Sequence, residues 1–273
     1  MWIILVLIAA FFNALWTAFS KNLLKGLSPF TFTLVFRALT ALVLLPVFLY
    51  DRKLPSSPVF WLAVTGAAIM EIIGIYAQSA GVKKDFYSTY SLTNTSPFFT
   101  LFLAPLILPE KITFILFVGA ALMVIGGIIF YRINPGISVY GIIRAVTVAI
   151  SGILAKIALS YSSGLTYPFI VFIIAICLMS FICPFRKEPL KMARLKLTAK
   201  KLLPLAIISA MATLSYYLAL QIAPVTRVNP LIRVNLLFGF LLSYFLLNER
   251  EYIKRKIFAS TLIITAAVLI SFS

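Results

Sequence analysis

The chain consists of apolar runs that are long enough to cross a lipid bilayer. A membrane-spanning helix needs about 20 mainly apolar residues, at a rise of about 1.5 Å per residue. Ten such runs can be marked in the 273 residues, with short connections between them. The predicted spans are residues 2–20, 30–50, 59–80, 86–108, 112–131, 138–160, 167–185, 202–221, 226–247 and 253–272. The sequence therefore predicts an all-α integral membrane protein with ten transmembrane helices.

The composition excludes an ordinary soluble domain. Hydrophobic residues make up 62% of the chain and charged residues 11%, so too few polar side chains exist to cover a soluble surface. The net charge of +17 does not indicate nucleic-acid binding, because most of the 24 basic residues lie between apolar runs. The chain has no histidine, and a helix would direct its two cysteines, Cys177 and Cys183, away from each other. We expect no metal site, cofactor or disulfide.

Lysine and arginine in the connections predict the orientation in the cell membrane. The connections after the odd-numbered spans hold sixteen basic residues, whereas the even-numbered connections hold four. Seven of the sixteen lie in residues 186–201, the only sizeable predicted loop, and nine remain without them. The first run, residues 2–20, has no basic leader or cleavage site and is read as a span. Because basic segments resist translocation, the bias predicts cytoplasmic odd-numbered connections and both termini outside.

An offset of 139 residues places the landmarks of one half of the chain on those of the other. It pairs Pro29 with Pro168 at corresponding breaks between apolar runs. The same offset pairs Phe30 with Phe169, Ala80 with Ala219, Phe99 with Phe238 and Glu110 with Glu249. A unit of five spans that occurs twice must enter the bilayer in opposite orientations, as in many secondary transporters. We therefore predict two inverted five-helix repeats, residues 1–135 and 136–273, which together form one membrane domain.

Polar side chains inside the predicted spans recur on single helix faces. In lipid such side chains are unfavourable, so they should face the bundle interior or a water-filled cavity. Tyr90 and Asn94 lie one turn apart in span 4, and the offset places Asn229 and Arg233 on the equivalent face of span 9. Similar stripes in spans 1, 2, 3 and 8 contain Asn13, Trp16, Arg37, Glu71, Gln78, Tyr217 and Gln221. These eleven residues are predicted to line a central substrate-binding cavity. For the serines and threonines in the stripes, helix packing is the alternative.

The charged residues inside the spans leave alternatives open. Arg37, Arg144 and Arg233 lie early in their spans, so their long side chains either face the cavity or extend to the membrane surface. Lys156, near the end of span 6, is expected to reach the surface. Glu71 is short and central in span 3, so it is an ion partner for an arginine, a proton-exchanging site or a protonated carboxyl. If the arginines face inward, the cavity favours a substrate with a carboxylate or phosphate.

Structural roles are expected for residues in and just before spans 5 and 10. Glu110 and Glu249 lie where one span ends and the next begins, so each should stabilise the N-terminus of the helix that follows it. Gly119, Gly126 and Gly127 indicate close packing in a span that is nearly free of polar side chains. Spans 5 and 10 are therefore expected to brace the bundle or to meet a partner.

Several short motifs occur along nearly the whole chain in a specific order. They are Ala14-Leu15-Trp16, Gly26-Leu27-Ser28-Pro29-Phe30, Arg37, Ser96-Pro97-Phe98, Glu110, Gly119-Ala120-Ala121, Ala219, Asn229-Pro230-Leu231 and Glu249-Arg250. In this order they resemble the EamA-type transporters of the drug/metabolite transporter superfamily. The resemblance implies ten helices in two inverted repeats, a central cavity, alternating access, and export of amino acids or other small metabolites. Two features depart from the family. Its members usually have both termini in the cytoplasm, and Pro109 and Asn248 replace its glycine before the boundary glutamates.

The leading functional hypothesis is a secondary transporter that exports a small polar metabolite, such as an amino acid. A flippase for a lipid-linked substrate is the alternative within transport, and its cavity would open sideways to lipid. An enzyme is disfavoured because such chemistry needs paired acids, a histidine or a metal, and Glu71 stands alone in its span. A scaffold would not need matching polar faces in both halves. The sequence leaves open the substrate, coupling to protons, and whether the protein acts as a monomer or a homodimer.

Overall fold

The chain folds into a bundle of helices. The structure, a computed structural model, describes residues 1–23, 28–52, 54–130, 138–182, 192–245 and 252–273, and its regular structure within these ranges is entirely helical. The helices are α1 (Trp2–Leu23), α2 (Pro29–Tyr50), α3 (Pro58–Lys84), α4 (Phe86–Thr93), α5 (Ser96–Ile107), α6 (Phe114–Phe130), α7 (Val139–Leu159), α8 (Tyr167–Ile182), α9 (Met192–Ile222), α10 (Val225–Leu231), a 3₁₀ turn (Ile232–Val234), α11 (Asn235–Phe245) and α12 (Ile253–Ser271).

Six helical stretches of the described residues are long and apolar enough to cross a membrane. They are Trp2–Phe19, Phe30–Tyr50, Pro58–Val82, Val139–Leu159, Leu202–Ile222 and Val225–Leu242. Two shorter helices, Phe114–Phe130 and Tyr167–Phe181, are also apolar. Large apolar side chains such as Leu106 and Phe114 remain exposed around the bundle, where lipid can solvate them. The chain is therefore a multi-pass membrane protein.

Two of the predicted spans are broken helices. Span 4 is interrupted at Asn94 and Thr95, and span 9 contains the 3₁₀ turn Ile232–Val234. Pro97 and Pro230 each lie within one turn of a break. Proline lacks the N–H that a helix needs and its ring clashes with the preceding turn, so each residue weakens the helix locally. The breaks occupy equivalent positions under the offset of 139 residues.

The loop predicted over residues 186–201 is partly wrong, because α9 already begins at Met192. Residues 186–191 lie outside the described part of the chain. Residues 192–201 are rich in alanine, leucine, lysine and arginine, which have high helix propensity. A criterion based on apolar runs misses this segment, and indeed the apolar part of α9 begins at Leu202.

Contacts between helices relate the two halves of the chain symmetrically. The most extensive contacts include those of α3 with α7, α1 with α9, α6 with α12 and α2 with α8. The offset of 139 residues exchanges the first two of these pairs and maps each of the others onto itself. Every pair joins a helix from before residue 131 to one from after residue 137, and one apolar core runs through both halves. The predicted boundary between residues 135 and 136 lies outside the described residues.

Glycine residues allow α6 and α12 to pack closely. A Cβ atom at Gly119 would lie 2.8 Å from an isoleucine side chain of α12, and one at Gly126 would lie 2.9 Å from another. A Cβ atom at Gly127 would lie 2.9 Å from the Cβ of Asn94, beside the first helix break. These distances are too short for any residue but glycine, which confirms the close packing predicted for this span.

Candidate functional site

A cavity of about 320 Å³ lies between the two halves, beside both helix breaks. Ligand pockets in proteins have volumes of roughly 300–1,000 Å³, so this one suits a small molecule. Ten of the eleven residues predicted from the sequence line it. They are Asn13, Trp16, Arg37, Glu71, Gln78, Tyr90, Asn94, Tyr217, Asn229 and Arg233. The structure thus brings the polar stripes of different spans together, while their role in binding stays a prediction.

Gln221 lies apart from the other ten residues. It is the penultimate residue of α9, one turn beyond Tyr217. Its Oε1 accepts a hydrogen bond from the backbone N–H of Gly164 at 2.9 Å, in the connection between α7 and α8. The polar stripe of this helix therefore continues past the cavity, and its last member fixes a connection.

Glu71 forms ion pairs in the cavity wall. Its Oε2 lies 2.5 Å from Nη2 of Arg37 and 3.9 Å from Nη1 of Arg144. Ser151 Oγ donates a long hydrogen bond of 3.5 Å to the other carboxylate oxygen. The guanidinium of Arg37 also lies over the ring of Phe172, with 4.2 Å from Cζ to the ring centroid. Among the roles that the sequence leaves open, the geometry is that of an ion partner, which reduces the cost of burying these charges.

The charged groups in the wall are mainly basic. Arg37, Arg144 and Arg233 all line the cavity, so these arginines face inward. The lining that the structure describes contains these three and Lys256 as basic residues and Glu71 as its acid, a formal charge of +3. An anion in such a low-dielectric site is stabilised by charge-assisted hydrogen bonds.

Side-chain hydrogen bonds join the two broken helices across the cavity. Arg233 in the 3₁₀ turn donates from Nη2 to Oγ of Ser96 at the start of α5. Asn229 on α10 donates from Nδ2 to Oγ1 of Thr100 on α5 at 3.0 Å. The hydroxyl of Tyr216 donates to Oδ1 of the same asparagine at 2.5 Å. The breaks therefore let polar side chains from both halves meet inside the bundle.

Some lining residues were not predicted, and the sequence leaves Arg144 open between the cavity and the membrane surface. Arg144, Val148 and Ser151 follow i, i+4, i+7 spacing on α7, a stripe that helical periodicity identifies. Tyr216 lines the cavity beside Tyr217. The helical periodicity places only Tyr217 on the polar face of this span, so it misses Tyr216. Phe172 is apolar in an apolar helix, so no sequence signal distinguishes it.

The cavity reaches one end of the bundle and stops short of the other. It extends to Phe130 and Lys256, near the ends of α6 and α12 that adjoin odd-numbered connections. In the other direction its lining includes Phe172 and Tyr217, each more than one turn inside its helix.

Hydrogen bonds between the halves occupy the end that the cavity does not reach. Asp51, just after α2, accepts a hydrogen bond on Oδ2 from Oγ of Ser163. The backbone carbonyl of Asp51 accepts another from Oγ1 of Thr166 at 2.5 Å. Both partners lie in the connection between α7 and α8, so these contacts tie the first half of the chain to the second.

Glu110 makes a second connection at this end. Its Oε1 accepts from the backbone N–H of Val225 at 2.8 Å, and its Oε2 accepts from the backbone N–H of Thr226 at 3.0 Å. It therefore caps α10 of the other half, which corrects the prediction that it stabilises the helix that follows it. Glu249 lies outside the described residues.

We refer to Asp51, Glu110, Ser163, Thr166 and Thr226 as the closed end.

Lys156 lies outside the cavity. Its Nζ donates to the backbone carbonyls of Leu220 at 2.7 Å and Ala223 at 2.9 Å. Carbonyls at a helix C-terminus lack partners within the helix, and a cation there is favourable. The side chain thus binds the C-terminal end of α9, and its extension to the membrane surface stays a prediction.

The described residues contain no group of three or more His, Cys, Asp and Glu side chains that could hold a metal ion. Cys177 is a free, exposed thiol. Cys183 falls outside the described residues.

Two segments of the chain match one known family. Residues 1–132 and 136–272 each match the EamA-like transporter family. No curated protein matches the sequence. A solved crystal structure is similar over 99% of this chain and 96% of its own, with a TM-score of 0.76 and 13% sequence identity. At this identity the likeness shows the fold alone.

Proposed function

Because the chain belongs to the EamA-like transporter family of the drug/metabolite transporter superfamily, we propose that it exports small polar metabolites, such as amino acids, as a secondary transporter. One observation carries the proposal. The cavity lies beside two helix breaks at equivalent positions of the two halves, with polar residues of both halves in its wall. Paired broken helices at a repeat interface are the usual place of a transporter's substrate site. The ten predicted lining residues are proposed as that site.

We propose alternating access between two inverted repeats of five spans each. The cavity extends towards Phe130 and Lys256, and the closed end separates it from the other side. During transport the closed end would separate while the opposite end comes together. Each hydrogen bond contributes on the order of 1 kcal/mol net, so the few at the closed end are weak enough to break repeatedly.

For the orientation, we propose cytoplasmic odd-numbered connections and external termini in the cell membrane. The count of basic residues supports this, and the cavity would then load from the cytoplasm, as export requires. A cysteine added at the N-terminus, with Cys177 and Cys183 replaced by serine, tests the proposal. A membrane-impermeant maleimide should label it in intact cells. Labelling only after permeabilisation would show the reverse orientation, which is the one usual in the family.

Counterflow in proteoliposomes tests the function. Purified protein is reconstituted with a panel of unlabelled amino acids, nucleobases or organic phosphates, and entry of the same labelled compound is followed. At least one compound should accumulate transiently above empty vesicles, and a variant with Asn94→Ala and Arg233→Ala should reduce that accumulation. No accumulation for any member of the panel would contradict the proposal.

A further inference from the structure

Arg144 has hydrogen-bond donors that no described residue accepts from. Its Nε and Nη1 are buried in the cavity wall and make no hydrogen bond within the described residues. Nη1 lies 3.9 Å from Oε2 of Glu71, beyond hydrogen-bonding distance. The guanidinium packs against Gly74, where any Cβ would overlap Nη1. The absence of a side chain at this glycine gives the arginine its position.

Glu71 neutralises Arg144 only in part, because its carboxylate lies much closer to Arg37. Arg37 occupies Oε2 at 2.5 Å, and Ser151 is directed at Oε1. One acid therefore faces two arginines in this part of the wall, and Arg233 and Lys256 add further positive charge. A buried cation whose charge is only partly compensated is unfavourable, so an anion that reaches Arg144 is stabilised by its positive charge.

A second unused donor lies in the same wall. Nε1 of Trp16 is buried and makes no hydrogen bond within the described residues. Together with Arg144 this gives the cavity several donors that need acceptors. A buried donor without a partner costs about 1–3 kcal/mol, and more when it is charged. A ligand rich in acceptor oxygens relieves that cost, and a ligand of the same shape without them does not.

We propose that Arg144 binds the anionic group of the transported metabolite, a carboxylate or a phosphate, and that the protein therefore selects anionic groups over neutral ones. This inference rests on the proposed function and specifies its substrate class. An amino acid satisfies it through its carboxylate and a sugar phosphate through its phosphate. Arg37, held by Glu71 and Phe172, supports the wall without contacting the anion.

Fluorescence of Trp16 measures the binding directly. The chain has three tryptophans, and Trp2→Phe with Trp61→Phe leaves the one in the cavity as the reporter. The probes are inorganic phosphate, glycerol 3-phosphate against glycerol, and 3-phenylpropionate against 3-phenylpropionamide. At least one anion should change the fluorescence saturably, with its neutral partner at least about 10-fold weaker. The phosphate and carboxylate arms show which group is preferred.

Variants of the full-length protein assign the effect to one residue. Arg144→Gln should weaken anion binding about 10- to 100-fold, as expected for loss of a charge-assisted hydrogen bond. Arg144→Lys should weaken it less, because the charge remains. Lys200→Gln removes the same charge from an exposed site outside the cavity and should bind like the parent protein. The ion pair of Arg37 with Glu71 is intact in all three variants, so they are expected to fold.

Equal binding of anions and neutral partners, no saturable binding in either arm, or unchanged affinity in Arg144→Gln would each overturn the inference. If Arg144→Gln fails to fold, the comparison of anions with neutral partners in the parent protein still tests whether the cavity selects anions. The transport proposal fails separately. Anion binding without flux in proteoliposomes would contradict transport but support the anion site. Flux of a neutral compound without any anion binding would support transport but contradict the anion site.

Discussion

Glu110 accepts hydrogen bonds from both the backbone N–H and the hydroxyl of Thr226, at 3.0 and 2.7 Å, so a carboxylate of the first half caps a helix of the second. The first N–H groups of a helix have no partner inside it, and an anion there is also favoured by the helix dipole. This contact therefore contributes to stability and holds the closed end together at the same time.

Replacing Glu110 should destabilise this state measurably. We expect Glu110→Ala to lose about 1–2 kcal/mol, the usual cost of removing a helix cap, and to lower the thermal unfolding midpoint in detergent. Glu110→Gln keeps one acceptor oxygen and should lose less. Equal midpoints for the parent protein and both variants would show that the cap contributes nothing.

Gly152 should not tolerate a methyl group. A Cβ there would lie 2.8 Å from Nδ2 of Asn229 and 3.3 Å from the hydroxyl of Tyr216, so Gly152→Ala disturbs the hydrogen bonds that join the broken helices. The expected loss is about 1–3 kcal/mol, measured by thermal unfolding.

Gly239 provides the matched control. It also lines the cavity, but a Cβ there meets no atom within 4 Å. Gly239→Ala should be neutral or stabilising by up to about 1 kcal/mol, because alanine favours helix over glycine. Similar effects of the two substitutions would contradict the packing described for Gly152.

Glu71 and Arg37 should have unequal effects when each is removed. Glu71→Gln leaves Arg37 and Arg144 facing each other without a counter-charge, whereas Arg37→Gln leaves Glu71 with Arg144 at 3.9 Å. Removing one partner of a buried pair costs about 3–5 kcal/mol, with less expected beside a cavity. Thermal unfolding should therefore rank Glu71→Gln as the less stable variant.

The same variant tests the alternative role of Glu71. If its carboxyl carried a coupling proton, Glu71→Gln would abolish the pH dependence of transport. The ion pair favours a structural role, for which the pH profile is unchanged while the unfolding midpoint falls. A lost pH dependence with an unchanged midpoint would support proton coupling.

Helical periodicity identifies most of the candidate site and few of its contacts. Tyr90 and Asn94 lie at helical spacing on one span, and Arg233 occupies the equivalent face of another. Because these spans must keep polar groups away from lipid, the sequence predicts that all three face one cavity. The helix breaks do not follow, because a proline alone does not fix a break. The partner of Glu110 lies 116 residues away at Thr226, and only the arrangement of the two halves determines it.

A reversible cross-link at the closed end tests alternating access most directly. Asp51 and Ser163 are hydrogen-bonded across the two halves, so Asp51→Cys with Ser163→Cys places two thiols in contact once Cys177 and Cys183 are replaced by serine. Oxidation should hold the closed end together and stop counterflow of a compound that the panel identifies, and dithiothreitol should restore it. Asp51→Cys alone should be insensitive to oxidation. If fully cross-linked protein showed the same counterflow rate as dithiothreitol-treated protein, the opening of this end during transport would be contradicted.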